Sequence, residues 1–195
     1  MATLVSILQV VHILAAILMA WPFYALVAVN ERGRLGPPLG DRVDIYLENI
    51  VRGRVIPCFV LQATVMGTGL ALVFLHGLGL AGLLVNPALG AKFLLLIGIA
   101  ALLGYVHVKV QPQIDELFST SADTPMSAEI ADTINALRLW RKRLASICLF
   151  SVLTIAMLGV QAWKPFPVWL TLALLVALAL LTYRAYKSTM PYGWA

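Results

Sequence analysis

Long apolar stretches alternate with short polar ones along the whole chain. A membrane-spanning helix needs about 20 apolar residues at a rise of about 1.5 Å per residue. The stretches that meet this requirement are residues 3–29, 55–76, 91–110, 144–163 and 167–184. The pattern therefore predicts an all-α, polytopic membrane helical bundle with five transmembrane helices. The turn between the last two spans, QAWKPFPV, is short, so these spans should form an antiparallel hairpin.

Composition agrees with this pattern. Of 195 residues, 61% are hydrophobic and 12% are charged, whereas soluble domains are about 45–50% apolar and about 25% charged. We expect a single integral membrane domain over residues 1–195, in the bacterial inner (cytoplasmic) membrane. The chain starts without a basic region or a small-residue cleavage site, so the first span should be retained. Cys58 and Cys148 lack metal-site spacing and are expected to be reduced small hydrophobic residues.

Basic residues are unevenly distributed between the loops, and this predicts an orientation. On one side lie Arg32, Arg34, Arg42, Arg52, Arg54, Arg138, Arg141, Lys142, Arg143, Arg184 and Lys187. On the other side lie only Lys92 and Lys164. The bias predicts an N-out, C-in topology. Because the basic residues cluster beside spans, we expect contacts with lipid and other membrane subunits, and no nucleic-acid partner.

Two cytoplasmic segments are amphipathic. DRVDIYLENIVR, residues 41–52, is predicted to be a short interfacial helix with its charges on the exposed face. Its apolar face carries Val43, Leu47, Ile50 and Val51. A second helix should run from about residue 125 through the fourth span, with Thr124 as N-cap and Pro125 at its first position.

Polar residues inside the spans form stripes, which usually face the interior of a bundle. They are Ser6, Gln9 and His12 in span one; Gln62, Gly69 and His76 in span two; Gly104, His107 and Gln111 in span three; and Thr154 and Gln161 in span four. Span five has only Thr171 in its interior. We therefore expect a core of four helices and a peripheral fifth.

All nine Asp and Glu residues fall outside the predicted spans. Proton relays and sodium-coupled carriers usually need an intramembrane carboxylate, so a transporter is disfavoured. The remaining polar groups are imidazoles, amides and hydroxyls, and neutral imidazole is an axial ligand of haem iron. His12 could pair with His76 near the outer surface or with His107 near the centre. Each histidine could instead make only a packing or interfacial contact.

The first span, VVHILAAILMAWPF, resembles the first span of the CopD and HemJ-like integral membrane proteins. The second span, PCFVLQATVMGTGLAL, and the third, ending GYVHVKVQP, are similar to the corresponding spans, so the likeness covers residues 3 to about 112. The resemblance implies a bundle that holds b-type haem, or copper in the CopD branch. A HemJ-like protein oxidises protoporphyrinogen with a first-span histidine and a third-span lysine, which would be His12 and Lys109.

Three functional hypotheses follow. The preferred one is a subunit or accessory protein of a membrane redox complex that holds haem b through His12, with His76 or His107 as second iron ligand. The residues expected to support this site are Gln9, Gln62, Gly69, Gly104 and Lys109. The second hypothesis is a HemJ-like protoporphyrinogen oxidase. The third is a cofactor-free structural subunit whose histidines form hydrogen bonds between helices.

Overall fold

The computed structural model describes residues 2–34, 42–120 and 126–187, and every regular element in these ranges is helical. The α-helices are α1 (Ala2–Val29), α2 (Arg42–Leu75), α3 (Gly82–Val85), α4 (Pro87–Tyr105), α5 (Gln111–Thr120), α6 (Ala128–Gln161) and α7 (Val168–Lys187). A 3₁₀ turn, Asn30–Arg34, follows α1, and a π-helical segment, Val106–Val110, joins α4 to α5. Five helices in these ranges are long and apolar enough to cross a membrane, which confirms the predicted all-helical class and the predicted number of such helices. The orientation stays a prediction.

The helix α6 is the centre of the bundle. It packs against α1, α4 and α7, while α2 packs mainly against α1. Half of the most apolar stretch of α6 is buried inside the chain, against 6% for α7. The core is formed by apolar side chains of α1, α2, α4 and α6, and its least exposed members include Met19, Phe23, Ile99, Val152 and Ile155. Burial of such side chains is the main favourable contribution among these helices.

The predicted interfacial helix over residues 41–52 is not a separate element. It forms the first turns of α2, which continues without a break from Arg42 to Leu75. Its polar face is not solvated either, because Asp44 and Glu48 are 0% and 3% exposed. Ile45 and Tyr46 are exposed instead. The expected exposure of Asp44 and Glu48 is therefore wrong, because carboxylates can be buried when cations from another helix pair with them. Val51 of the predicted apolar face is buried as well, at 2% exposed.

The helical path of the third span, predicted over residues 91–110, continues beyond that range to Thr120. The π-helical segment Val106–Val110 leads directly into α5, and the Gln111 N–H donates to the carbonyl of Val106. Proline has no N–H and its ring collides with the carbonyl four residues earlier. A wider π turn before Pro112 relieves that collision and lets the helical path continue.

The fourth span starts close to the predicted position, but with a different cap. Ser127 is the N-cap of α6, and its hydroxyl accepts a hydrogen bond from the N–H of Ile130 at 3.3 Å. Thr124 and Pro125 lie outside the described residues. At 34 residues, α6 is about 51 Å long and exceeds the roughly 30 Å of a bilayer core. Its first turns therefore extend beyond the apolar stretch.

The apolar connection between α2 and α4 is an ordered turn. Gly77 and Gly79 have φ of 73° and 58°, a region that favours glycine. Asn86 caps α4 by accepting from the N–H groups of Ala88 and Leu89, with Pro87 in the first turn. Its side-chain amide also donates to the carbonyl of Ala162 at 3.5 Å. These contacts connect the turn to the C-terminal end of α6.

Candidate functional site

The charged end of the bundle holds the largest set of buried polar side chains in the described residues. We call this set the ion cluster: Asn30, Glu31, Asp44, Glu48, Gln111, Arg138, Arg141 and Lys142. None of its members is more than 6% exposed. They come from the turn after α1, the start of α2, the start of α5 and the first half of α6. The cluster therefore joins segments that are far apart in the sequence.

Helical spacing explains how these residues meet. Arg138, Arg141 and Lys142 are three and four positions apart on α6, so they share one face. Asp44 and Glu48 are four positions apart on α2 and also share a face. The two faces meet with opposite charges. This pairing is what makes burial of so many charges possible.

Arg141 is the most highly connected residue of the cluster. Its Nε donates to Asn30 Oδ1 at 2.7 Å, and Nη1 donates to Gln111 Oε1 at 2.6 Å. Nη1 and Nη2 also donate to the two oxygens of Glu48, at 2.8 and 3.0 Å. A guanidinium can make a two-pronged contact of this kind, whereas a lysine cannot. Arg141 therefore connects segments of α2, α5 and the turn after α1 to α6.

Neighbouring ion pairs complete the cluster. Arg138 donates to Glu48 Oε1 at 2.9 Å and to Asp44 Oδ1 at 2.8 Å. Arg32 also contacts Asp44, at 3.2 Å. Lys142 pairs with Glu31. Each pair joins α6 or the turn after α1 to another element, so the ion cluster holds these elements together.

Glu48 lies outside the apolar stretch of α2, and its ionisation is strongly affected by these contacts. Burial alone would raise the pKa of Glu48. The hydrogen bonds and charges of Arg141 and Arg138 outweigh burial and lower this pKa from 4.5 to about 2. Glu48 is therefore ionised at neutral pH.

The charge bias predicts that the basic residues of this cluster set the topology and contact lipid head groups. Arg138, Arg141 and Lys142 instead face inward, and Arg143 is the exposed basic residue of that stretch. The sequence does contain one indication of this pairing. The carboxylates at positions 44 and 48 are four residues apart, and the cations at positions 141 and 142 are three and four residues after the one at 138, so each set lies on one helix face. The sequence could not show that these two faces meet, because that depends on helix packing.

His12 lies between α1 and α2. Its Nδ1 is 2.9 Å from the hydroxyl oxygen of Thr68, and that hydroxyl donates to the carbonyl of Thr64 at 2.6 Å. A hydroxyl has a single proton. Thr68 therefore accepts from the Nδ1–H of His12, which leaves Nε2 with its lone pair. Gly69 allows this close approach, because a Cβ there would lie 3.0 Å from Cε1 of His12.

The other two histidines lie at different levels. His76 is exposed at the end of α2, with its ring 4.5 Å from that of Trp163 in an edge-to-face arrangement. It is eight residues beyond Thr68, or about 12 Å along the helix axis. His107 is exposed in the π-helical segment, one turn before Gln111, which bonds to Glu48. Counting from Glu48 to Thr68 puts His107 about 24 Å from the level of His12.

The supporting residues are similarly dispersed. Gly69 contacts His12, but Gly104 faces open space and Lys109 is exposed near the charged end. Gln9 is half-buried. Gln62 is 5% exposed, and neither of its amide atoms has a hydrogen-bond partner among the described residues. Gln62 is thus not the partner of His12.

Lys92 is the lysine of span three that lies near His12. Its ammonium group is close enough to interact electrostatically with the imidazole. A Cβ on Gly159 would lie 3.4 Å from Lys92 Nζ, so glycine leaves room for the ammonium beside α6. The charge bias predicts Lys92 on the side of the membrane with few basic residues, and this orientation stays a prediction. Lys92 belongs to the first two turns of α4, and its ammonium group lies beside Gly159 of α6.

Comparison of the chain with protein-family models, with characterised proteins and with solved structures gives no match. The resemblance to CopD and HemJ-like proteins therefore stays a prediction.

Proposed function

We propose that this chain is a membrane-embedded structural subunit or accessory protein of a larger membrane complex. The proposal rests on the observation that the buried polar side chains of this chain connect different helices to one another. The ion cluster joins α2, α5, α6 and the turn after α1, and His12 joins α1 to α2. These contacts hold helices in fixed relative positions, as a scaffold for neighbouring subunits requires.

Replacement of each histidine by alanine tests this role. The full chain should be tagged, expressed in its native host and extracted in a mild detergent, and the size of the assembly measured on native gels. His76→Ala and His107→Ala should leave assembly unchanged. His12→Ala should lower thermal stability slightly but still assemble, because one hydrogen bond between membrane helices contributes about 0.6 kcal/mol. A chain that migrates alone in every mild detergent would contradict the proposal.

A haem-carrying subunit of a redox complex is the second candidate, and one specific observation favours it. The bond from Nδ1 of His12 to Thr68 leaves Nε2 as the free coordinating atom, which is how protein histidines are commonly oriented toward a metal. The two-histidine arrangement fits poorly within one chain, because His76 and His107 lie about 12 Å and about 24 Å from the level of His12. His12 would then be the only iron ligand that this chain supplies.

A reduced-minus-oxidised absorption spectrum with pyridine haemochrome quantitation separates these candidates. The protein should be purified together with its native complex. A b-type band that is lost in His12→Ala and kept in His76→Ala and His107→Ala supports the haem-carrying subunit. A complex without any band supports the structural subunit.

A HemJ-like oxidase is the third candidate. The resemblance assigned its lysine to Lys109, but the structure puts Lys92 closer to His12. An activity assay for protoporphyrinogen oxidation should therefore compare Lys92→Met with Lys109→Met. Loss of activity in Lys92→Met alone would support this candidate, and absence of activity in the unmodified protein would exclude it.

A further inference from the structure

A groove runs between α6 and α7 at the charged end of the bundle. Its volume of about 510 Å³ lies within the roughly 300–1,000 Å³ that is typical of ligand sites. Two positions of the groove, Ser146 and Thr182, are buried, at 8% and 6% exposed. The walls are apolar or aromatic, with Ile147 and Phe150 on α6 and Ala179 and Tyr183 on α7.

The two ends of this groove differ in polarity. At one end, Arg143 Nε lies 3.4 Å from the hydroxyl of Tyr186, so the C-terminal end of α7 meets the polar half of α6. At the other end lie Phe150 and Ala179. Phe150 is seven residues after Arg143 on α6, and Ala179 is seven residues before Tyr186 on α7. The groove is therefore about 10 Å long. It leads from a cation at the polar end into the apolar stretch of both helices.

Cations at the polar end have no carboxylate partner among the described residues. Arg143 is exposed, and Lys187 lies 5.8 Å from the centre of the Tyr183 ring. The neighbouring Arg141 and Lys142, in contrast, are paired with Glu48 and Glu31. The mouth of the groove thus carries net positive charge, although the adjacent ion cluster is internally compensated.

The interior of the groove contains an unused polar group. Thr182 Oγ has no hydrogen-bond partner among the described residues. A helical threonine commonly bonds to a carbonyl of the preceding turn, and Ser146 across the groove does so with the carbonyl of Lys142. The free hydroxyl of Thr182 can therefore donate to an oxygen of a bound molecule.

We propose that this groove binds one anionic phospholipid. The phosphate would contact Arg143 and Lys187 at the mouth, an ester oxygen would accept from Thr182, and an acyl chain would lie between Phe150 and Ala179. Lipid is favoured over free phosphate because the apolar walls continue into the membrane-spanning stretches, where a chain of methylene groups gains burial. The positive mouth favours an anionic head group, since basic side chains near a membrane surface attract such lipids.

The test uses the full chain in detergent, with dioleoylphosphatidylglycerol or dioleoylphosphatidylcholine added and bound lipid counted by native mass spectrometry. The unmodified chain should retain one phosphatidylglycerol in preference to phosphatidylcholine. Arg143→Gln should weaken phosphatidylglycerol binding about fivefold. Arg184→Gln, a matched change of an exposed arginine of α7 outside the groove, should leave it unchanged.

Blocking the groove tests its apolar part. Ala179→Phe should reduce retention of both lipids, whereas Ala177→Phe, an exposed change on the same helix outside the groove, should not. Thr182→Val should weaken binding with little change in folding. Inorganic phosphate should not displace the lipid.

Three results would overturn the proposal. Equal losses in Arg143→Gln and Arg184→Gln would show attraction to surface charge without a site. Displacement of the lipid by millimolar phosphate would show that only an anion is bound. Lipid binding that is absent in the full chain and gained on removal of residues 188–195 would assign the groove to the chain's own C-terminal segment.

Discussion

The charged end and the apolar interior of this bundle both bury polar side chains, but they do so in different ways. At the charged end, Glu48 neutralises the buried charge of Arg141, and the amide oxygens of Asn30 and Gln111 accept its remaining hydrogen bonds. In the interior, His12 bonds to Thr68 at 2.9 Å, and the Gln62 amide has no partner among the described residues. The comparison indicates that the charged end holds the helices together, while the interior tolerates weaker polar contacts.

The largest expected effect is at Arg141. Arg141→Ala leaves buried Glu48 with one cationic partner, and breaking a buried pair in this way costs about 3–5 kcal/mol. Arg143→Ala removes an exposed arginine two residues away and should change stability by less than about 0.5 kcal/mol. The free energy of unfolding of both variants can be measured in mixed micelles that contain an increasing fraction of denaturing detergent. Equal effects of the two variants would show that the ion cluster does not stabilise the packing of the helices.

The pH dependence of stability should come next. The pKa of Glu48 is lowered from 4.5 to about 2, so its stabilisation is complete above pH 4.5 and is lost as pH falls through about 2. A shift of this size corresponds to about 3 kcal/mol. Unfolding free energies of the unmodified chain and of Glu48→Gln should therefore converge as the pH is lowered from 5 toward 2. A constant difference over that range would contradict the assigned ionisation.

A smaller effect is expected where α1 and α2 approach each other. Gly69→Ala puts a Cβ 3.0 Å from His12 and should cost about 1–3 kcal/mol by overpacking. Gly67→Ala, where nothing lies within 4 Å, should be neutral or stabilising by up to about 1 kcal/mol. Thermal unfolding in detergent distinguishes them. In the double variant with His12→Ala, the cost at Gly69 should largely disappear, and persistence of the full cost would mean that His12 is not the residue in contact.

The smallest effect is expected at Gln62. Gln62→Leu removes a buried amide that has no partner in the described part of the chain and should stabilise the isolated chain by about 1 kcal/mol. Gln9→Leu, at a half-buried position of α1, serves as the control and should change little. A destabilised Gln62→Leu variant would show that the amide does have a partner, which the lone bundle does not reveal.

The span pattern was predictable because it depends on local composition. Residues 55–76 and 144–163 are apolar enough to define helices whatever surrounds them, and they fall on α2 and α6 to within two residues of the helix ends. The contact of Gly69 with His12 could be anticipated only in part. The sequence predicts both residues on polar stripes of adjacent spans. Whether they lie at the same level depends on the axial position of α1 relative to α2.

The partners of the buried residues could not be predicted. The polar stripes of spans one and two contain His12 and Gly69 but not Thr68, the residue to which His12 bonds. The sequence likewise could not show which of Lys92 and Lys109 lies near His12, because the level of a lysine in the bundle depends on where its helix begins. A shift of one turn moves a side chain by about 5.4 Å, which is enough to exchange one hydrogen-bond partner for another.

Composition and segment length are enough to predict an all-helical chain with five apolar helices, because helix formation and burial of apolar residues follow from these local properties. The inward direction of Asp44 and Glu48, toward Arg138 and Arg141, follows instead from how the helices pack. The physical reason is that a charged side chain is equally compatible with water and with a buried opposite charge. Which of the two it finds depends on the helix that packs against it.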